Sequence, residues 1–297
     1  MLKENIILDT DISNEVDDQF ALTYLMKSID KFNLEAITIA PFCSNGYVKI
    51  KDVAEGTDIS YNTACKILDM IGEEKYKDII YKGATKYFYE SKEMNVGAQK
   101  IIDISRKNEH TTIIAIGAIT NVALAMYHAP DIINKIDIIW LGGNSFLSSK
   151  NDEYNFRQDV EGVRYVFESK AELVVIPCKN VASDLSTSIY ELEHYLKDKG
   201  EIGNYLCEIF SKIKKNYTVT PTDEIGQTKT LWDLSAIAYL INKDWFIVSE
   251  VSCPHIDEDL SYKFTSDKHT IKFVNNLRRN KIYQDFFIKM GCNNETY

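Results

Sequence analysis

The residues best suited to chemistry crowd into one short stretch of this chain. In Asn5–Leu22, NIILDTDISNEVDDQFAL, the apolar run Ile6-Ile7-Leu8 leads into Asp9, Asp11, Asp17 and Asp18. Helical apolar spacing resumes at Phe20, Ala21, Tyr24 and Leu25. The pattern predicts a buried strand, a carboxylate-rich turn and a helix. Carboxylates gathered at one turn repel one another, and burying them unpaired is costly. A hard divalent cation resolves the conflict, because Ca²⁺ and Mg²⁺ take oxygen ligands. A solvated acidic loop with Asp17 starting the helix is the plainer alternative. The crowding makes a metal the preferred reading.

The elements that must position these groups alternate along the chain. Strand-length apolar runs fall at Ile6–Asp9, Leu34–Ala40, Thr112–Gly117, Ile136–Leu141 and Leu173–Pro177. Helical patterns fall at Asp17–Ser28, Ile59–Ile71, Ala98–Lys107, Val122–Met126 and Val160–Ser169. This order predicts an α/β fold: an open, mainly parallel, Rossmann-like sheet with helices on both faces. The strands are apolar throughout, as expected when both faces are covered. Ligands of such sheets bind beyond the carboxyl ends of the strands. Here those ends carry the aspartates, then Gly117-Ala-Ile-Thr120-Asn121, then Gly142-Gly143-Asn144 followed by Asn151-Asp-Glu153-Tyr-Asn155.

From Thr187 the texture changes. Tyr190–Lys199 and Ile202–Lys215 predict surface helices joined around Gly200, and Tyr217–Gly226 predicts a loop. Leu231–Ile241 is apolar around nearly all its surface and predicts a buried helix. Phe246–Cys253 predicts a strand, Tyr262–Thr265 and Thr270–Val274 a hairpin across Ser266–His269, and Asn280–Met290 a closing helix. No repeat or Gly/Pro/Ser-rich linker interrupts the chain, so one domain is expected over residues 1–297.

Composition narrows the partners. With 34 Lys and Arg against 44 Asp and Glu, the net charge is −10. That argues against nucleic acid or an anionic membrane surface as partner. The amino terminus passes straight into a strand without a long apolar h-region, so no signal peptide and a cytoplasmic location are expected. Cys43, Cys65, Cys178, Cys207, Cys253 and Cys292 show no CxxC spacing and are expected as reduced thiols, mostly small core residues.

Taken together, these motifs resemble the inosine-uridine preferring nucleoside hydrolase family, whose signature is DxDPGxDDxxAL after an apolar strand. Here it stands as Asp9-Thr-Asp11-Ile-Ser-Asn-Glu-Val-Asp17-Asp18-Gln-Phe-Ala-Leu. The resemblance continues in Gly117-Ala-Ile-Thr120-Asn121, Leu141-Gly142-Gly143, Glu153-Tyr-Asn155-Phe-Arg-Gln-Asp159 and Trp232-Asp233. The turn after Asp11 is two residues longer than the signature, and Ile12-Ser13 replaces Pro-Gly. Pro41-Phe42 stands where the family often has Gly-Asn, with Asn45 three residues on, and Trp232 where many members have His. These departures fall on the base-binding half of the site and resemble a divergent branch of the family.

The resemblance implies hydrolysis of the N-glycosidic bond of a ribonucleoside, a part in nucleoside salvage, and a dimer or tetramer. It implies that Asp11, Asp18, Asp233 and the Thr120 carbonyl hold Ca²⁺. Asp17 would be the general base on a water that the cation activates, with Asp9 in support. Glu153 and Asn155 would grip the ribose, with Asn144 a further candidate, and Trp232 would stack on the base or pack the core. Asp159 fits a helix start. Asp233 alone would also fit a salt bridge or a cap. Among His110, His128, His194, His255 and His269 none stands at a family position for a proton donor, which leaves loop residues such as Tyr217 or Asp223. Two alternatives remain: a riboside-binding protein without turnover, and a Mg²⁺ phosphatase with a nucleophilic aspartate in Asp9-Thr-Asp11.

Overall fold

A computed structural model describes residues 3–43, 48–213, 228–265 and 268–292. Strand β1 (Glu4–Thr10) feeds helix α1 (Asp17–Met26), and β2 (Phe32–Ile39) feeds α2 (Val53–Ile71). Then come β3 (Ile80–Lys82), α3 (Val96–Lys107), β4 (Thr111–Ala115), α4 (Thr120–His128) and β5 (Ile136–Leu141). Next are α5 (Tyr154–Gln158), α6 (Val160–Glu168), β6 (Glu172–Ile176), β7 (Ser186–Ser188), α7 (Ile189–Leu196) and α8 (Gly200–Ile213). The chain continues through β8 (Thr228–Thr230), α9 (Leu234–Ile241), β9 (Phe246–Ser252), β10 (His255–Ile256), β11 (Tyr262–Lys263), β12 (Thr270–Leu277) and α10 (Arg279–Lys289).

Eight strands form one sheet in the order β3-β2-β1-β4-β5-β6-β12-β9. Every neighbouring pair is parallel except β12 with β9. Two apolar cores cover its faces. Ile6 and Leu8 of β1 enter the core that holds Phe20, Leu25, Ile67, Ile237 and Phe286. Ile7 enters the opposite core, with Ile101, Val122 and Phe167. Successive side chains of a strand point to opposite faces, so a strand buried on both must be apolar throughout. The mainly parallel sheet expected from the sequence is therefore the observed fold. Among the described residues no helix is long and apolar enough to cross a membrane.

The structure corrects several local expectations. No hairpin joins Tyr262–Thr265 to Thr270–Val274. Tyr262 and Lys263 pair with His255 and Ile256, while β12 enters the main sheet between β6 and β9. A short apolar run does not reveal which strand it will neighbour, and β12 buries Phe273 and Val274 better against β6 than a detached hairpin could. The helix expected from Leu231 begins at Leu234, so Trp232 and Asp233 lie in the turn before it. Helix α2 starts at Val53, because Asp52 Oδ1 accepts the Glu55 amide at 2.9 Å. Gly56 hides this first turn in the sequence, yet a Cβ there would lie 2.9 Å from Phe42 Cε1. Strand β3 is too short to show a period.

One buried polar tie fixes the register at the site. Asp9 stands opposite Thr38, and its Oδ1 accepts from Thr38 Oγ1 at 2.5 Å and from Asn121 Nδ2 at 2.8 Å. Asn121 also donates to the Ile39 carbonyl at 2.9 Å and accepts the Ala84 amide at 2.8 Å. This packing requires Gly83, since a Cβ there would lie 2.1 Å from the Ile39 oxygen and 2.2 Å from Asn121 Nδ2. Gly83→Ala is expected to destabilise the fold by about 1–3 kcal/mol, the usual cost of overpacking, read as a lower urea midpoint. An unchanged midpoint would show that the Asn121 tie contributes nothing.

Candidate active site

A cavity of about 200 Å³ opens beyond the carboxyl ends of β1, β4, β5 and β6. Asp11, Asp17, Asp18 and Asp233 line one part, and Glu153, Tyr154, Asn155 and Trp232 another. Asp11 follows β1, Asp17 and Asp18 open α1, and Asp233 stands just before α9. Helix α1 packs against α9, which brings the two helix starts together. Backbone N–H groups at such starts favour negative charge. Asp233 occupies the cap position of α9 but makes no capping hydrogen bond with its side chain. When protonated, its carboxyl instead donates a hydrogen bond to Asp18.

One oxygen each from Asp17, Asp18 and Asp233 lie within 4.8 Å of one another. All three residues are buried. Burial, and then the charge of Asp17, pushes the Asp18 carboxyl up to about 8. Burial and the neighbouring aspartates likewise hold Asp11 and Asp233 well above the usual carboxylate range. Asp17 Oδ2 accepts the Trp232 amide at 3.0 Å, while Oδ1 is buried with no partner among the described residues. Mutual repulsion and an orphaned carboxylate oxygen are what a divalent cation relieves, so the residues present fit such an ion. The donor set is all carboxylate oxygen, the kind of ligand that hard divalent cations such as Ca²⁺ and Mg²⁺ take. Gly117 leaves room for Asp11, because a Cβ there would come 3.0 Å from Asp11 Oδ1.

At the other part of the cavity, Glu153 caps α5 and accepts three amides: Asn155 at 2.8 Å, Phe156 at 2.9 Å and Gly143 at 2.9 Å. Asn155 spends its Nδ2 on the carbonyls of Ile116 and Leu141, both at 3.1 Å, which turns its Oδ1 away from them. Asn144 lines the cavity, but its Nδ2 donates to Asp152 and the Lys150 carbonyl, and its Oδ1 accepts the Lys179 amide. It organises the loop before Glu153.

Two residues named from the sequence, Thr120 and the supporting Asp9, do not line the cavity. Thr120, the expected carbonyl ligand, is the first residue of α4, so its carbonyl belongs to the helical ladder. Its hydroxyl donates to Asp159 at 2.5 Å. The cavity-lining residue at that strand end is Ile116. Asp9 is also absent from the lining, and burial raises its carboxyl to about 6. Phe42 is fully buried. Asn45, Tyr217 and Asp223 lie outside the described residues.

Sequence reasoning did not pick out several residues that line the cavity. Asn14 and Glu15 come from the longer turn, Cys178 follows β6, and Lys179 and Tyr154 complete the wall. The two extra turn residues were the available signal for the first pair; nothing local marks Cys178. Its thiol is held neutral, pushed up by burial and by Glu153, so it is no nucleophile.

Comparison with known proteins shows the family and the fold. A family model described as inosine-uridine preferring nucleoside hydrolase matches residues 6–284. A curated relative, the pyrimidine-specific ribonucleoside hydrolase RihB of Escherichia coli, is 29% identical over 146 residues, covering 47% of this chain and 44% of that protein. The chain thus spans about half the length of the curated relatives it matches. Among solved structures, the plant nucleoside hydrolase PpNRh1 superposes with a TM-score of 0.80 at 17% identity, covering 98% of this chain and all of that one (100%). The purine-preferring ribonucleoside hydrolase of Gardnerella vaginalis gives 0.76 at 18% identity, with 97% and 98% covered. At such identities the superpositions speak for the fold.

Proposed function

The chain belongs to the inosine-uridine preferring nucleoside hydrolase family, and from that premise we propose that it hydrolyses the N-glycosidic bond of a ribonucleoside to free base and ribose. The carrying observation is the convergence of Asp11, Asp17, Asp18 and Asp233 with Glu153 and Asn155 in one cavity. In this reading Asp11, Asp18 and Asp233 hold Ca²⁺. When bound, the cation lowers the pKa of water and orients it. Asp17 takes the proton from the attacking water through Oδ1, while the Trp232 amide fixes its other oxygen. Glu153, held by three amides, and Asn155 Oδ1 accept hydrogen bonds from the ribose hydroxyls and set the sugar at the carboxylates. The same negative floor favours the positive charge that develops on the ribosyl ring. Trp232 flanks the base. Asp9 acts from inside the sheet by holding β1 to β2 and α4.

The phosphatase alternative draws its nucleophile from Asp9-Thr-Asp11, of which Asp9 is buried away from the cavity, and it gives no role to Asp17, Glu153, Asn155 or Asp233. A binding protein without turnover is the remaining competitor. Action as one domain, in the cytoplasm, and as a dimer or tetramer are further parts of the proposal, the last checked by light scattering.

Incubation with a panel of purine and pyrimidine ribonucleosides tests the reading. Free base and ribose are expected in equal amounts with Ca²⁺, and neither after chelation. Ligand binding with no base released from any nucleoside would leave the binding-protein alternative.

A further inference from the structure

The turn between Asp11 and Asp17 does more than connect strand to helix. Asn14 and Glu15 within it both line the cavity. Glu15 is locked in an ion pair with Lys229 of β8, and both side chains are largely buried. The Asn14 amide closes a tight turn on the Asp11 carbonyl at 2.6 Å. Its Nδ2 donates to Asp11 Oδ2 at 2.9 Å. Once Asp11 is ionised beside a bound cation its Oδ2 only accepts hydrogen bonds, and this contact then fixes which way the Asn14 amide faces. The consequence is that Oδ1 is turned from Asp11, is buried, and has no partner among the described residues. Asn14 is 4% exposed. A buried acceptor without a donor is unfavourable and rare. Asn14 thus lines a cavity whose proposed ligand is rich in hydroxyls while its own acceptor is left buried and unpaired among the described residues.

We propose that Asn14 is a specificity-determining residue whose Oδ1 accepts a hydrogen bond from one hydroxyl of the substrate's sugar. This rests on the ribohydrolase reading of the site. Because Asp11 orients the amide, the residue couples sugar recognition to the carboxylate cluster. A substrate lacking that hydroxyl leaves Oδ1 unpaired in the complex, and such unpaired groups discriminate strongly.

The test compares wild type, Asn14→Ala and the volume-conserving Asn14→Leu on a riboside and its 2′-deoxy, 3′-deoxy and 5′-deoxy counterparts. Asn14→Ala is expected to lower kcat/KM for the full riboside by about tenfold to a hundredfold. On one of the three deoxy analogues the variants and wild type should act alike. An equal loss on all four substrates, or no loss on any, overturns the proposal. Calorimetry with Ca²⁺ alone is run beside it. Cation affinity that falls with the sugar discrimination unchanged would mean that Asn14 serves Asp11 only, and would also overturn it. If wild type hydrolyses no riboside, the functional reading fails instead. The inference is then read by melting-temperature shifts with ribose and the deoxyriboses, where a shift common to wild type and Asn14→Ala rejects it.

Discussion

Asp17→Asn is expected to remove nearly all turnover while leaving the cation in place. Asparagine keeps the shape and can still accept the Trp232 amide that now reaches Asp17 Oδ2 at 3.0 Å. What it loses is a basic oxygen at the position of Oδ1, which has no partner among the described residues. Positioned proton transfer contributes roughly 10²–10⁴-fold to rate, so kcat should fall by that order. Calcium affinity, measured by calorimetry, should stay within a few-fold of wild type. Asp17 also lies within ligand reach of Asp18 and Asp233. Asp11→Asn is therefore the necessary partner experiment. If Asp17→Asn empties the site while Asp11→Asn keeps Ca²⁺ and loses turnover, the two aspartates exchange roles.

The second large effect is expected from Asp233→Asn. Its side chain makes no cap to α9, so little helix stability is lost. Removing the outer partner of a metal ligand typically costs 10–100-fold in affinity, and loss of a charged ligand itself should exceed roughly a hundredfold. The cation-free proteins should behave the opposite way. Burial and the charges of Asp18, Asp17 and Asp11 push the Asp233 carboxyl up, so a neutral amide there removes a group that is costly to ionise. Without calcium, Asp233→Asn should melt at or above wild type; with calcium, only wild type should gain. At a concentration of about 100 times Kd that gain is about 2.7 kcal/mol. A variant that melts well below wild type without calcium would show that Asp233 has a structural role independent of the ion.

The same carboxylates set a pH dependence. Asp18 in the fold titrates near 8, far above the usual carboxylate range. The cation-free fold thus binds more protons than the unfolded chain, and the stability from this group is present below about 4 and lost as pH rises through about 8. A cation must displace those protons, so its affinity and its stabilisation should grow between those limits. Melting curves with and without Ca²⁺ across this range should diverge as pH rises. Curves that stay parallel would mean that the carboxylates are already ionised without the ion.

Much of this was legible in the sequence. Apolar runs such as Ile6–Leu8 and Ile113–Ala115 must be covered on both faces, which dictates a parallel sheet sandwiched by helices. Asp11, Asp17 and Asp18 pointed to a strand end with a cation, since burying them without a counter-charge is costly. Such features are local or periodic, and one chain displays them directly.

Tertiary structure decided what depends on distant partners. Asp9 and Asp11 are two residues apart on an extended chain, yet Asp9 is tied to Thr38 and Asn121 inside the sheet and Asp11 reaches the cavity. Thr120 and Ile116 differ by one turn of chain, and only where α4 begins decides which stands at the rim. Cys178 borders the cavity because β6 ends beside Glu153, and Lys229 closes on Glu15 across more than two hundred positions of sequence (|i−j| = 214). Composition and period show which residues must be buried and which cannot be buried alone. They do not show which neighbour will satisfy a given side chain, because that depends on sheet order and helix packing that no local window contains.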